Sequence, residues 1–157
     1  MISHDQINVF NSPDNTNGLG ELVNTMTSYE TRLDTFISAY LATALWASLD
    51  NDDIPLDINY TIDDFDPETL ASMKEDCRKF FEKHQHQMTA ECRRNEKDDP
   101  EGMAGHDFWL SRNHHGAGFY DGDWHEPAWH DMSATADWYG EYNLYVENGI
   151  VYGERFA

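Results

Sequence analysis

Basic residues are scarce in this chain. Ten lysines and arginines face thirty aspartates and glutamates over 157 residues, a formal net charge of −20, and the isoelectric point lies near 4.4. A surface of that sign repels polyanions, which excludes direct binding of DNA, RNA or anionic lipid by release of counterions. Cysteine is almost missing as well. Cys77 and Cys92 form no CxxC pair, so neither a zinc cluster nor a disulfide framework is indicated and a reduced compartment is expected. Apolar runs stay far short of the ~18 residues that a membrane span requires. The opening stretch, MISHDQINVFNSPDNTNG, has neither the basic nor the apolar region of a secretory leader, and a soluble, cytoplasmic protein is the expectation. No serine stands in a Gly-x-Ser-x-Gly elbow, and GAGFYDG lacks the lysine of a phosphate-binding loop, so neither serine nucleophile nor nucleotide cradle has a motif.

What is present is 39% hydrophobic and 13% aromatic residues at a mean hydropathy of −0.74, which is one domain's worth of core, built largely from rings beneath a very polar surface. Residues 1–28 are rich in Asn, Asp, Thr, Ser and Gly and read as a flexible polar arm that buries too little to offset its ordering. Residues 29–157 read as a single α+β domain. Leu33, Phe36, Ile37, Tyr40, Leu41, Ala44, Leu45 and Leu49 recur at spacings of three and four, the mark of a helix with one buried stripe. DNDDIPLDINYTIDDFD breaks that pattern into a surface loop with Ile54, Leu56, Ile58 and Tyr60 as anchors. Asp66 as N-cap and Pro67 at the first helical position open a second helix, with Leu70, Met73, Cys77, Phe80, Phe81, His84 and Met88 as its stripe. RRNEKDDPEG reads as a linker or a frayed helix end, stopped by Pro100 and Gly102. HDFWLSR and AGFYD, on either side of NHHG, read as two strands joined by a tight turn. EPAWHDMSATADWYG gives a third helix that stops at Gly140, and Asn148-Gly149 marks a closing hairpin. The expected fold is therefore two N-terminal helices, then β-hairpin, helix and β-hairpin, with a small antiparallel sheet packed on helices.

Candidate chemistry gathers in the first of those hairpins. His106, Arg112, Asn113 and His115 form the candidate catalytic set, because a guanidinium fork and an amide suit oxyanions and imidazoles move protons. On a strand, His106 and the neighbouring Asp107 would face opposite sides, so they would not share one ion. The competing reading has Arg112 pairing with a carboxylate and Asn113 forming the turn. His115, Glu126 and His130 are the candidate metal ligands, although no HExxH spacing accompanies them and no cofactor is expected. Cationic charge is confined to one segment, seven of the ten basic residues lying between Lys74 and Lys97. Asp50, Asp52, Asp53, Asp57, Asp63, Asp64 and Asp66, followed by Glu68, stand in a stretch with no lysine or arginine. The seven aspartates are the candidate partner-binding set, since closely spaced carboxylates imitate phosphates and steer association with basic proteins.

The block AGHDFWLSRNHHGAGFYD resembles that of an uncharacterised family of small phage-encoded proteins with the form AGHDFWLxRNxHGAGFxD. The matching positions are Gly105, His106, Asp107, Phe108, Trp109, Leu110, Arg112, Asn113, His115, Gly116, Gly118, Phe119 and Asp121, while His114 departs from the expected glycine. The likeness runs from about Phe36 to Tyr152. It implies a phage context, hence the cytoplasm of a host cell, and no assigned reaction. Three expectations of function stand together. The first is an acidic phage accessory protein that binds a basic macromolecular partner, mimicking nucleic acid to inhibit a host DNA- or RNA-binding or defence protein. The second is a small hydrolase or nuclease, with or without a metal, sited at His106–His115. The third is a structural acidic protein adapted to high salt, to which the count of four lysines is suited.

Overall fold

The computed structural model describes the backbone of residues 13–156 and the side chains of residues 28–156. Of the polar arm expected over residues 1–28, all but Ser28 lies outside the residues described in full. The chain divides into two units, residues 1–32 and 33–157.

Helix α1, Pro13–Ala47, buries Phe36, Tyr40, Leu41, Ala44 and Leu45, the stripe that the three-and-four spacing demands. Leu49 lies beyond the helix end and is exposed. The acidic loop follows, and of its four expected anchors only Leu56 is fully buried, whereas Ile54 and Ile58 face solvent. Helix α2, Pro67–His84, opens as its sequence requires: the Asp66 side chain accepts from the Thr69 amide at 2.9 Å and Pro67 occupies the first turn. Met73, Cys77, Phe80, Phe81 and His84 are buried along one face. His84 ties this helix onward, its ring hydrogen-bonded to Gln87 at 2.9 Å and to Thr135 at 2.8 Å.

The next element overturns the expected fold. Pro100–Arg112 is a third helix, α3, and not a linker followed by a strand. Pro100 starts the helix where it was expected to end one, as suits a residue with no amide to donate. No Val, Ile or Thr occurs between 100 and 112. From Ala104 to Arg112 every residue except His106 is buried, so α3 is enclosed nearly all round and shows no single apolar stripe. Residues 113–127 then form a loop. Helix α4, Ala128–Tyr139, buries Ala128, Met132 and Ala136 and stops at Gly140, whose φ is +72°.

Strands β1, Tyr142–Glu147, and β2, Ile150–Arg155, close the chain as an antiparallel pair. The turn at Asn148 and Gly149 takes φ of 51° and 77°, the left-handed pair that this dipeptide favours. This hairpin is the only sheet among the described residues. Among the described residues the order is thus four α-helices and one terminal hairpin. The core is an aromatic cluster: Phe108 of α3 stacks on Phe80 of α2 at 4.1 Å and lies 5.1 Å from Tyr40 of α1 and 5.4 Å, edge to face, from Tyr139 of α4, centroid to centroid.

Candidate functional site

The residues expected to form a catalytic set do not converge. Arg112, at the end of α3, is fully buried. Its Nε donates to the Gly140 carbonyl at 2.8 Å, Nη1 to the Tyr40 hydroxyl at 3.0 Å and to Asp76 Oδ2 at 2.9 Å, and Nη2 to the Tyr139 carbonyl at 3.2 Å. The fork therefore clamps α1, α2 and the end of α4 to α3. Asp76 is shared with Arg155 of β2, which carries the clamp to the hairpin. Asn113 is spent as well, donating to the Trp109 carbonyl at 2.9 Å and accepting from the Tyr142 amide at 2.8 Å. The expected alternative, an arginine paired with a carboxylate, describes Arg112, although Asn113 ends a helix and does not turn a hairpin.

His106 and Asp107 do diverge, but by the turn of a helix and not the alternation of a strand. The Thr43 hydroxyl donates to the Ala39 carbonyl, so His106 Nδ1 is the donor in its 2.8 Å bond to Thr43 Oγ1. Burial lowers the His106 pKa from its ordinary value, partly opposed by Asp121. Asp107 points inward and accepts from Trp124 Nε1 at 2.7 Å. Burial pushes its carboxyl up to about 7 from an ordinary 3.8, although the Trp124 bond pulls the other way. Around it, Arg93 lies 4.6 Å from the Trp124 ring centre and donates to Asp98 at 2.6 Å.

Two glycines of the block are places where chain meets chain. A Cβ on Gly105 would stand 2.2 Å from the Phe36 carbonyl oxygen, so α3 and α1 touch backbone to backbone there. Gly118 has φ of +148°, and a Cβ on it would stand 2.1 Å from Ser111 Oγ, the atom that accepts from the Phe119 amide at 3.0 Å. Most of the block thus holds four helices and a loop together.

His115 is the exception. It is exposed and lines a cleft of about 350 Å³ between Ala47–Leu49, at the end of α1, and Glu141–Leu144, at the start of β1. Trp109 also lines this cleft, and its indole N–H has no hydrogen-bond partner among the described residues. Glu126 and His130 are exposed elsewhere, and no group of three or more His, Cys, Asp or Glu side chains among the described residues is arranged to hold a metal ion.

The acidic loop leaves the same cleft wall at Leu49. Asp50 Oδ1 accepts from the amides of Asp52 at 2.8 Å and Ile54 at 3.0 Å, and the Leu56 amide returns to the Ser48 carbonyl at 2.9 Å, which pins residues 50–54 as a tight projection. Asp64 accepts from the Thr61 amide at 2.8 Å, and Asp66 caps α2. These three carboxylates shape backbone. Asp52, Asp53, Asp57 and Asp63 are exposed. No salt bridge among the described residues reaches any of the seven; Arg78, Lys79, Arg93, Arg112 and Arg155 bind carboxylates elsewhere.

Sequence reasoning missed Asp76, the acceptor at the centre of the clamp. The signal was there: Asp76 sits three residues after Met73 and four before Phe80, a charge inside an apolar stripe. No helix among the described residues is long and apolar enough to cross a membrane. Compared with known proteins, the chain matches no family model, no curated protein and no solved structure.

Proposed function

We infer that the chain is a binding protein whose acidic loop engages a basic macromolecular partner, presenting carboxylates where that partner would hold phosphates. A host or phage DNA- or RNA-binding protein, or a defence protein with such a surface, is the partner this chemistry selects. The observation that carries the reading is the loop itself: Asp52, Asp53, Asp57 and Asp63 stand exposed on a backbone pinned by Asp50 and Asp64, with no salt bridge from lysine or arginine among the described residues. Fixed like charges of this kind raise the on-rate of a cationic partner and lose their reach as salt screens them. The hydrolase reading has no comparable support, because Arg112 and Asn113 spend their polar groups on the fold.

The test titrates the chain into a panel of basic nucleic-acid-binding domains, each preloaded with a fluorescent oligonucleotide. Displacement from at least one domain is expected, with affinity falling at least tenfold, roughly, between 50 and 200 mM salt. A variant carrying Asp52→Asn, Asp53→Asn, Asp57→Asn and Asp63→Asn should lose that displacement while melting like the parent. Equal displacement by the parent and the four-site variant overturns the reading.

A further inference from the structure

The hairpin has two outer edges, and only one is hydrogen-bonded along its length among the described residues. Glu147 and Ile150 flank a two-residue turn and therefore exchange both backbone hydrogen bonds, as do Tyr145 with Tyr152 and Asn143 with Glu154 in alternation. The Phe156 amide on the Glu141 carbonyl, at 3.1 Å, continues that phase. Tyr142, Leu144 and Val146 consequently turn their N–H and C=O groups away from β2. On the opposite edge, the Val151 carbonyl accepts from the Asp66 amide at 2.9 Å and the Gly153 amide donates to Thr69 Oγ1 at 3.2 Å, so the start of α2 seals β2. On β1, Asn113 takes the Tyr142 amide. No hydrogen bond among the described residues takes the N–H or C=O of Leu144 or Val146.

A strand edge with unpaired N–H and C=O groups is a template for another strand, and proteins ordinarily protect it. Here it borders the cleft, whose lining includes Glu141, Leu144 and Trp109. Charge selects the occupant. Glu141 and Glu147 are exposed at the two ends of β1, Asp50 follows the opposite wall, and the hairpin's one cation, Arg155, is bound to Asp76.

We propose that the outer edge of β1 takes an extended basic peptide segment as a third strand. Leu144 and Val146 supply the backbone hydrogen bonds, Glu141 and Glu147 receive the segment's alternate lysines or arginines, and the cleft admits its residues beside Trp109. Strand addition of this kind gives affinity through main-chain bonds and specificity through alternate side chains. The proposal rests on the partner being basic and names the part of it that docks.

The probe is the hexapeptide Lys-Val-Lys-Thr-Lys-Val, blocked at both ends, against the same peptide N-methylated at alternate residues so that charge is kept and the pairing edge is lost. Binding of the unmodified peptide should slow hydrogen exchange at the Leu144 and Val146 amides, and N-methylation should weaken binding about tenfold. Val146→Pro removes an outward amide that β2 does not use, and should weaken the peptide similarly while the melting transition is kept. Equal binding of both peptides with unchanged exchange at Leu144 and Val146 overturns strand addition and leaves the basic-partner reading intact. Failure of the hexapeptide alongside displacement by basic domains has the same meaning. Failure of peptide and domains alike removes both. Protection of the two amides without peptide, growing with protein concentration, assigns the edge to a second copy and overturns the proposal.

Discussion

Asp107 is a buried carboxyl whose one hydrogen bond among the described residues comes from an indole, and its titration reports what that costs. In the fold it holds its proton to about pH 7, whereas its ordinary value is 3.8. A pKa raised by folding adds stability that is complete below the unfolded value and disappears as pH climbs through the folded one, here across about pH 4 to 7. The span corresponds to at most about 4 kcal/mol. Asp107→Asn keeps an oxygen for Trp124 and carries no charge, so the variant should exceed the parent in urea stability at pH 8 and match it near pH 4. An equal gain at both pH values would show that Asp107 does not titrate in this window. Side chains of this kind are hard to read from sequence for a physical reason. Arg112 meets Asp76 and Tyr40 across separations of 36 and 72 residues, so its burial depends on packing that no local pattern records. Asp76 was readable, because a carboxylate inside an apolar stripe requires a cation.

Helices α1, α2 and α4 and the closing hairpin each announce themselves through one exposed and one buried face or through a turn with a steric requirement, such as Asn148-Gly149. Helix α3 does not. Enclosed by α1, α2 and α4, it has few polar positions to mark a period, and HDFWLSR alternates well enough to pass for a strand. Pro100 and the lack of β-branched residues were the available signals for a helix. Its glycines test the enclosure. Gly105→Ala gains helix propensity of about 1 kcal/mol but drives a methyl to 2.2 Å from the Phe36 carbonyl oxygen, which the backbones of α1 and α3 relieve only by separating. A net loss of about 1–3 kcal/mol in urea unfolding is expected. Gly102→Ala meets only the end of the Asp99 side chain, at 2.6 Å, which can swing aside. That variant should be neutral or slightly more stable, and a stable Gly105→Ala protein would show that α3 does not lie against α1 as described.

At the scale of the molecule, a net charge of −20 opposes compaction everywhere while steering a cation toward the surface. The two effects respond to salt with opposite signs. Screening shortens from about 30 Å at 0.01 M to about 10 Å at 0.1 M, which weakens repulsion among the exposed carboxylates of residues 50–68 and between them and the eight that follow Arg112. The parent should therefore gain about 1–2 kcal/mol, read as a rise in melting temperature of roughly 3–6 °C, between low and moderate salt. Over the same range the affinity for a basic domain should fall. The variant with Asn at 52, 53, 57 and 63 should melt higher at low salt and respond less to added salt, because four of the uncompensated charges are gone. A chain adapted to high salt behaves differently: it is unfolded at low salt and recovers only in concentrated salt, and its binding has no low-salt maximum. Calorimetric melting and domain displacement, measured on one sample across a single salt series, separate an acidic surface that serves recognition from one that serves solubility in brine.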